Sequence, residues 1–293
     1  MSNELDVLKI GGVVDGFEIT EMLGKGAFGV VMEAVSDSDE SVALKFSRND
    51  CIAFINEVET LTALKGTGLA PELMHVGDYK GLKYFRMEEC VGSILDLTHM
   101  TMRGELNSTV IQKILFQTNN ALQAIHGLGY LHQDVKTENI FLSAPDHRNT
   151  VRVVLGDWGL AARHTNGKRV EGDIRPGGNT WYSSATAKMG HEYTVLDDLL
   201  MLSYCSWSFQ SLDVDEFSGE DSVAYKIKLL KEPYETLPDQ LQWLLPFFAS
   251  IQESIMDDGG IDYGVIKEGI EDVLRDSNGS DEIVLVGGET VIE

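Results

Sequence analysis

An acid, a cation and an amide fall within six consecutive positions of this chain, at Asp134, Lys136 and Asn139, inside the stretch His132-Gln133-Asp134-Val135-Lys136-Thr137-Glu138-Asn139. A second acid follows one apolar strand later, in Asp157-Trp158-Gly159. That spacing suits a loop presenting a proton acceptor, a phosphate partner and two metal ligands to one small volume. Such a loop needs a nucleotide clamp upstream and a substrate platform downstream. The competing reading of either acid is a turn residue, since loop aspartates commonly bond their own backbone.

Upstream, residues 17–23, 30–35 and 42–46 read as strands, separated by Gly24-Lys25-Gly26-Ala27-Phe28-Gly29 and by a polar turn. Glycine lacks a Cβ, so a glycine-rich turn lets backbone amides approach phosphates, although ordinary hairpins share the pattern. Val31 would lie over a flat base, and Ala43 shares a face with Lys45 because strand side chains alternate. Residues 53–64 carry Phe54, Val58, Leu61 and Leu64 at helical spacing. Glu57 on that helix is either a solvated carboxylate or the ion-pair partner of Lys45. Gly66 and Gly68 end the helix, and residues 74–79 and 83–87 add two strands, making five strands and one helix. Beyond the linker Glu88-Glu89-Cys90-Val91-Gly92 the pattern turns helical. Ile111, Ile114, Leu115, Thr118, Leu122 and Ile125 share one face of a helix capped at Asn107 or Ser108.

The net charge of −24 and pI of about 4.5 oppose non-specific binding to DNA or anionic membranes, so neither nucleic acid nor membrane is an expected partner. A length of 293 residues suits two lobes sharing a cleft, and 43% hydrophobic content supplies a sizeable core. Cys51, Cys90 and Cys205 are odd in number and far apart, which reads as reduced thiols rather than a disulfide frame or zinc site. The N-terminus lacks the order of a signal peptide, and no apolar run is long enough to span a bilayer. An intracellular monomer, cytoplasmic or nuclear, is expected.

Taken in order, these features resemble the signature set of eukaryotic-type protein kinases. The glycine loop Gly24, Gly26, Gly29 with Val31 matches, as does Val42-Ala43-Leu44-Lys45. Asn56-Glu57-Val58-Glu59-Thr60-Leu61 is similar to the helix that carries the lysine's partner. His132, Asp134, Lys136 and Asn139 match the catalytic loop with Gln133 in place of arginine, and Asp157-Trp158-Gly159 matches the metal-binding tripeptide with Trp in place of Phe. The segment from Gly178 to Gly190, then Asp197 to Tyr204, resembles the casein kinase 1 group, which includes the vaccinia-related and tau-tubulin kinases; so does Ile261-Asp262-Tyr263. The implied fold is α+β and bilobal, a β-rich N-lobe with one helix above a mainly helical C-lobe. The expected boundaries are an extension over 1–14, N-lobe 15–87, hinge 88–92, C-lobe 93–276 and tail 277–293.

The resemblance also implies roles. Asp134 accepts the proton of the attacking hydroxyl, and Lys136 neutralises the moving phosphoryl group. Lys45, oriented by Glu57, binds the phosphates of ATP, while Asn139 and Asp157 hold Mg²⁺. Adenine sits between Leu23, Val31 and Ala43 above and Phe141 below, with backbone bonds from Glu88 and Cys90 and Met87 as gatekeeper. The implied activity is Ser/Thr protein phosphorylation on a protein substrate; the alternative is a pseudokinase that scaffolds a partner. Because Gln133 cannot grip a phosphate as arginine would, activity without phosphorylation of the activation segment is expected. Asp198 is read as a structural acid bracing the catalytic loop, and His132 as a packed scaffold histidine. Trp181 stands where the casein kinase 1 group has arginine, which weakens an acidophilic preference. Yet Arg163, Lys168, Arg169, Arg175 and Lys188 leave the segment basic, either an anion site or a solvated loop. The acidic run from Asp213 to Asp221 is read as a solvated loop, and the stretch after residue 276 as an added strand or a loose tail.

Overall fold

The structure is a computed structural model and describes residues 7–47, 51–100, 106–170, 181–255, 261–274, 282–286 and 291–292. The N-terminal half is a six-stranded antiparallel sheet in the order β1-β2-β3-β4-β6-β5. Its strands are β1 (Val13–Val14), β2 (Phe17–Lys25), β3 (Val30–Ser36), β4 (Ser41–Ser47), β5 (Leu73–Tyr79) and β6 (Leu82–Glu88). Strand alternation sorts the side chains onto two faces. Val30, Met32, Leu44, Phe46 and Tyr84 pack into a small core with Val14, Phe17 and Ile19. The cross-strand pairs Val31↔Lys45, Lys45↔Phe85 and Ala43↔Met87 therefore lie together on the opposite face. Against that face packs α1 (Ile52–Leu64), whose Phe54 meets Phe85 with ring centroids 5.5 Å apart.

Cys90–Ser93 forms β7, and the chain then turns helical with α2 (Ile94–Met100) and α3 (Ser108–Gly127). The Asn107 side chain caps α3 by accepting from Thr109 N at 2.8 Å. Short strands then carry the site loops: β8 (Tyr130–Leu131), β9 (Ile140–Ser143), β10 (Thr150–Val151), β11 (Val153–Leu155), β12 (Ala162–Thr165) and β13 (Lys168–Arg169). They pair as β11-β9-β7 and β13-β12-β8, which sets the loop before β9 beside the turn after β11. The lower half is completed by α4 (Ala185–Lys188), α5 (Val195–Phe209), α6 (Asp215–Ser218), α7 (Ser222–Lys231), α8 (Pro233–Thr236), α9 (Leu245–Ser254) and α10 (Tyr263–Leu274). Helix α5 is apolar nearly all round because it is buried nearly all round, with Leu199, Leu202, Cys205 and Phe209 fully enclosed.

Three expectations need correcting, and for the stretch after residue 276 the added strand is the alternative observed. The sheet has a sixth strand: β1 pairs with β2, and Gly11 and Gly12 exchange backbone bonds with Ile19, so residues 11–14 belong to the N-lobe and not to an extension. The acidic run after Asp213 contains α6, pinned by a fully buried Phe217 that meets the rings of Trp207 and Tyr204 at 4.9 and 5.1 Å. The stretch after residue 276 supplies β14 (Ile283–Val286) and β15 (Val291–Ile292); β14 pairs with β10, burying Ile283. Finally, Lys188 is tethered to α6 and α7, its Nζ donating to Phe217 O at 2.7 Å and Ser222 Oγ at 3.0 Å, so it is not a loose basic residue of the substrate segment. Gly178, Asn179, Thr180, Glu171, Asp173 and Arg175 lie outside the described residues.

Candidate active site

The floor of the site is hung from one buried acid. Asp198, in the first turn of α5, accepts from the backbone amides of His132 (2.8 Å) and Gln133 (2.9 Å), from the Tyr193 hydroxyl (2.6 Å), and pairs with His126 Nε2 at 2.9 Å. Burial alone would raise this carboxyl, but the bonds from His126 and Tyr193 outweigh it and hold it below the usual carboxylate range. A fully buried charge is tolerated only when satisfied in this way. The two amides it holds are the ones that aim the next side chain, Asp134. His132 is itself enclosed, with Nε2 on Gly156 O at 3.0 Å and Nδ1 accepting from Asp134 N at 3.3 Å. Burial pushes its pKa down, so it is a neutral imidazole spent on scaffolding.

Asp134, Lys136 and Asn139 converge as the spacing suggested. Lys136 Nζ donates to Asp134 Oδ2 at 2.7 Å, and the Asn139 amide donates to the same oxygen at 3.0 Å and to Asp134 O at 2.9 Å. Burial raises the Asp134 carboxyl above its ordinary value, with Lys136 opposing the shift. Since the Asn139 nitrogen is committed to Asp134, its side-chain oxygen is the atom left for a metal.

Asp157 enters from β11 in the left-handed region (φ 56°), a conformation Asp tolerates better than most residues. Its Oδ1 lies 2.8 Å from Lys45 Nζ, and the same ammonium contacts Glu57 at 2.6 Å. Burial lowers the Lys45 pKa, but Glu57 and Asp157 outweigh it, so Lys45 is held above the usual lysine value and is a cation. Burial pushes Glu57 up to about 7, against the pull of Lys45 and of a backbone bond from Trp158. One strand of the N-lobe, one helix and the turn after β11 thus meet at a single nitrogen.

The residues expected to wall the nucleotide are spread over several strands. Leu23 and Gly24 lie on β2, Val31 on β3, Ala43 on β4, Met87 and Glu88 end β6, Cys90 opens β7, and Phe141 lies on β9. The three loop glycines have different reasons to be glycine. A Cβ on Gly24 or Gly26 would meet nothing within 4 Å, which leaves open space for a ligand against the backbone, whereas one on Gly29 would lie 2.0 Å from Phe46 O. The Glu88 carboxylate points away from the wall to Arg152, at 3.2 Å.

The structure adds residues that motif spacing did not single out. Asn56, one position before Glu57, donates from Nδ2 to Trp158 O and Gly159 O, both at 3.2 Å, and to Ala161 O at 2.7 Å. Tyr182 couples the platform to the catalytic loop, its hydroxyl 2.6 Å from Thr137 Oγ1. Trp181 stacks on Tyr182 with ring centroids 3.7 Å apart, so it packs where an arginine would reach out. Lys226 on α7 is buried, donates to the backbone oxygens of Trp181 and Ser183, and lies 4.9 Å from the Tyr204 ring centroid. Burial pushes its pKa down to about 6, with Lys188 adding to the effect. The Trp158 indole, which needs a partner if buried, donates to Leu155 O at 2.7 Å.

The donor set fits a small hard cation. Asn139 and Asp157 offer two oxygens, and no larger cluster of metal-binding side chains occurs among the described residues, so phosphate and water must complete the shell. No helix among the described residues is long and apolar enough to cross a membrane.

Comparison with known proteins agrees with this geometry. The family model of the protein kinase domain matches residues 17–195. A probable casein kinase I homolog of Encephalitozoon cuniculi is 32% identical over 204 residues, covering 66% of this chain and 62% of the relative. A probable serine/threonine-protein kinase of Dictyostelium discoideum is 25% identical over 260 residues, covering 84% of this chain and 50% of the relative. The chain thus spans between half and two thirds of the length of these relatives. Among solved structures, vaccinia related kinase 3 superposes with a TM-score of 0.74 at 18% identity, covering 94% of this chain and 93% of that one. With Lys45, Glu57, Asp134 and Asp157 brought together in a matching fold, this chain belongs to the protein kinase family.

Proposed function

We propose that this chain is an active serine/threonine protein kinase that transfers the γ-phosphoryl group of Mg-ATP to a protein hydroxyl. The observation that carries the reading is the simultaneous contact of Lys45 with Glu57 and Asp157, beside a bonded Asp134–Lys136–Asn139 group. Phosphoryl transfer through a loose transition state asks the protein for position and charge more than for covalent chemistry. Mg²⁺ bound with ATP supplies charge neutralisation at the phosphates. Asn139 and Asp157 would hold it, and Lys45 would bind phosphate oxygens while Glu57 fixes its direction.

Asp134 accepts the proton of the incoming hydroxyl, and burial raises its pKa, which strengthens it as a base. Lys136, on the same carboxylate, stands ready to offset charge on the moving group. Leu23, Val31, Ala43, Met87 and Phe141 would enclose the base, with Glu88 and Cys90 giving backbone contacts. A serine or threonine substrate is favoured because Lys136, two positions after the base, resembles the Ser/Thr enzymes. The casein kinase 1 group is the part of the family we infer. Phosphorylation of the activation segment is not required in this reading, and the working unit is a cytoplasmic or nuclear monomer acting on a protein rather than on nucleic acid or a membrane.

Transfer of ³²P from ATP to casein, or to the chain itself, tests this against an Asp134→Asn control. Signal above the control supports the kinase; signal equal to it, with ATP still bound, identifies a scaffold instead. Activity that survives phosphatase treatment, and survives Thr165→Ala with Thr180→Ala, supports independence from phosphorylation; its loss while the fold persists refutes that part.

A further inference from the structure

The segment that follows the metal carboxylate makes only a three-residue 3-10 turn, Trp158–Leu160, before the chain extends into β12. So short a turn satisfies one of its own carbonyls, Trp158 O, which accepts from Ala161 N at 3.0 Å. The carbonyls of Gly159, Leu160 and Ala161 need partners from elsewhere, because buried backbone groups are rarely left unpaired. Two carboxamides provide them. Asn56, from α1 in the N-lobe, donates to Gly159 O and Ala161 O and also reaches Trp158 O. Gln133, from the catalytic loop in the C-lobe, donates to Leu160 O at 2.6 Å. Four successive carbonyls are thus held by two uncharged side chains, one from each lobe.

Local packing shows that this arrangement is built rather than incidental. A Cβ on Gly159 would lie 3.2 Å from Ala53 Cβ, so glycine lets α1 come close enough for Asn56 to reach the backbone. Gln133 is buried, in the left-handed region at φ 66°, with its amide nitrogen on Asp198. Its side chain is therefore directed inward to the turn by its own backbone. It stands where an arginine would present charge to a phosphorylated segment.

We propose that Asn56 and Gln133 act as a paired positioning device, an uncharged clamp that sets Asp157 for metal and for Lys45 without a phosphate on the activation segment. The inference rests on the kinase reading for its activity arm, but the clamp itself is measurable without turnover. Neither residue touches the reacting atoms; each acts through the turn that carries Asp157. Neutral donors suit the task, since they bind carbonyls in every phosphorylation state of the chain.

The test uses the full chain and the variants Asn56→Ala, Gln133→Met and the double variant. In the apo protein, the clamp predicts faster hydrogen exchange of the amides of residues 158–161 in each single variant, with thermal unfolding still cooperative. In nucleotide binding, it predicts that Mg²⁺ strengthens ATP affinity less in the variants than in wild type, by about tenfold, while affinity without Mg²⁺ is unchanged. In turnover, it predicts a kcat about 10- to 10²-fold lower with KM for the protein substrate unchanged, the range expected when a catalytic group is displaced. The double variant should lose less than the product of the two single losses, because either loss releases the same turn. Unchanged exchange at 158–161 and unchanged Mg²⁺ enhancement in both single variants would overturn the clamp, whatever the activity. If wild type transfers no phosphate yet exchange and Mg²⁺ enhancement shift as described, the clamp stands and the kinase reading falls. If Gln133→Met fails to fold, Asn56→Ala with Asn56→Asp carries the test. The carboxylate of Asn56→Asp faces carbonyls and must be worse than alanine in both readouts, and equality of the two would overturn the clamp.

Discussion

The Lys45 ammonium stands 2.8 Å from Oδ1 of Asp157, so the lysine proposed to bind phosphate and the carboxylate proposed to hold metal touch directly across the two lobes. With Glu57 on the same nitrogen, removal of the lysine strands two carboxylates in a largely buried place. Lys45→Met should lower kcat by about 10²-fold or more. It should also destabilise the fold by about 3–5 kcal/mol, the usual penalty for breaking a buried pair from one side. Activity assays with denaturant unfolding of the same sample check both halves; loss of activity with full stability would mean that the contact is not held in solution.

Asp134 predicts a particular acid limb. Its carboxyl is raised by burial and partly restored by Lys136, and only its ionised form can accept a proton. Activity should therefore fall as pH drops through a pKa above that of an ordinary aspartate. Replacing Lys136 by Met removes the opposing cation, so the limb should move to higher pH. A profile of log(kcat/KM) against pH for both proteins decides; a limb that stays or moves down contradicts the assignment.

Lys226 predicts an unusual dependence of stability on pH. Its folded pKa is depressed to about 6, whereas an unfolded lysine titrates near 10.5, so between those values the unfolded chain binds more protons. Stability from this group is complete above the unfolded pKa and is lost as pH falls toward 6, with a limiting slope of about 1.4 kcal/mol per pH unit. Lys188, also lowered by burial, acts in the same direction. Unfolding measured from pH 7 to 8.5 should show stability rising in wild type and a shallower rise in Lys226→Met. The same variant frees the backbone of Trp181 and Ser183, so KM for a protein substrate should rise several-fold while KM for ATP does not.

Asp198 and Tyr263 form a graded pair of tests. Asp198→Ala removes the acceptor of two backbone amides and should cost about 3–5 kcal/mol with near-complete loss of activity. Tyr263→Phe removes only the hydroxyl that meets His126 Nδ1, one step from Asp198, and should cost about 1 kcal/mol with most activity kept. Thermal unfolding of the two side by side checks the order, and equal losses would show that α10, not Asp198, supports the loop.

Asp134, Lys136, Asn139 and Asp157 were legible in the chain because their chemistry needs set residue types at short, fixed spacing. Lys45 and Glu57 were legible as residues, but periodicity left Glu57 open between solvent and Lys45, and only the kinase resemblance implied their pairing. Asn56 and Lys226 carried no such signal: their partners are backbone oxygens 102 and 45 positions away, and a carbonyl has no residue type to read. The two-residue strand β1 is too short to alternate, and the pairing of β14 with β10 depends on a partner far back in the chain. The acidic run after Asp213 hid α6 because its composition speaks of solvent, while Phe217 alone ties it to the core.

Strand β14 joins a neighbour that was made far earlier in the chain. Its partner β10 lies in the hairpin between β9, which bears Phe141, and β11, which leads to Asp157. During synthesis that edge stays open until residue 283 has left the ribosome, although every motif residue emerged long before. An open strand edge invites pairing with other nascent chains. A chain ending at residue 276 should therefore carry every site residue with one strand edge exposed, a substrate for chaperones.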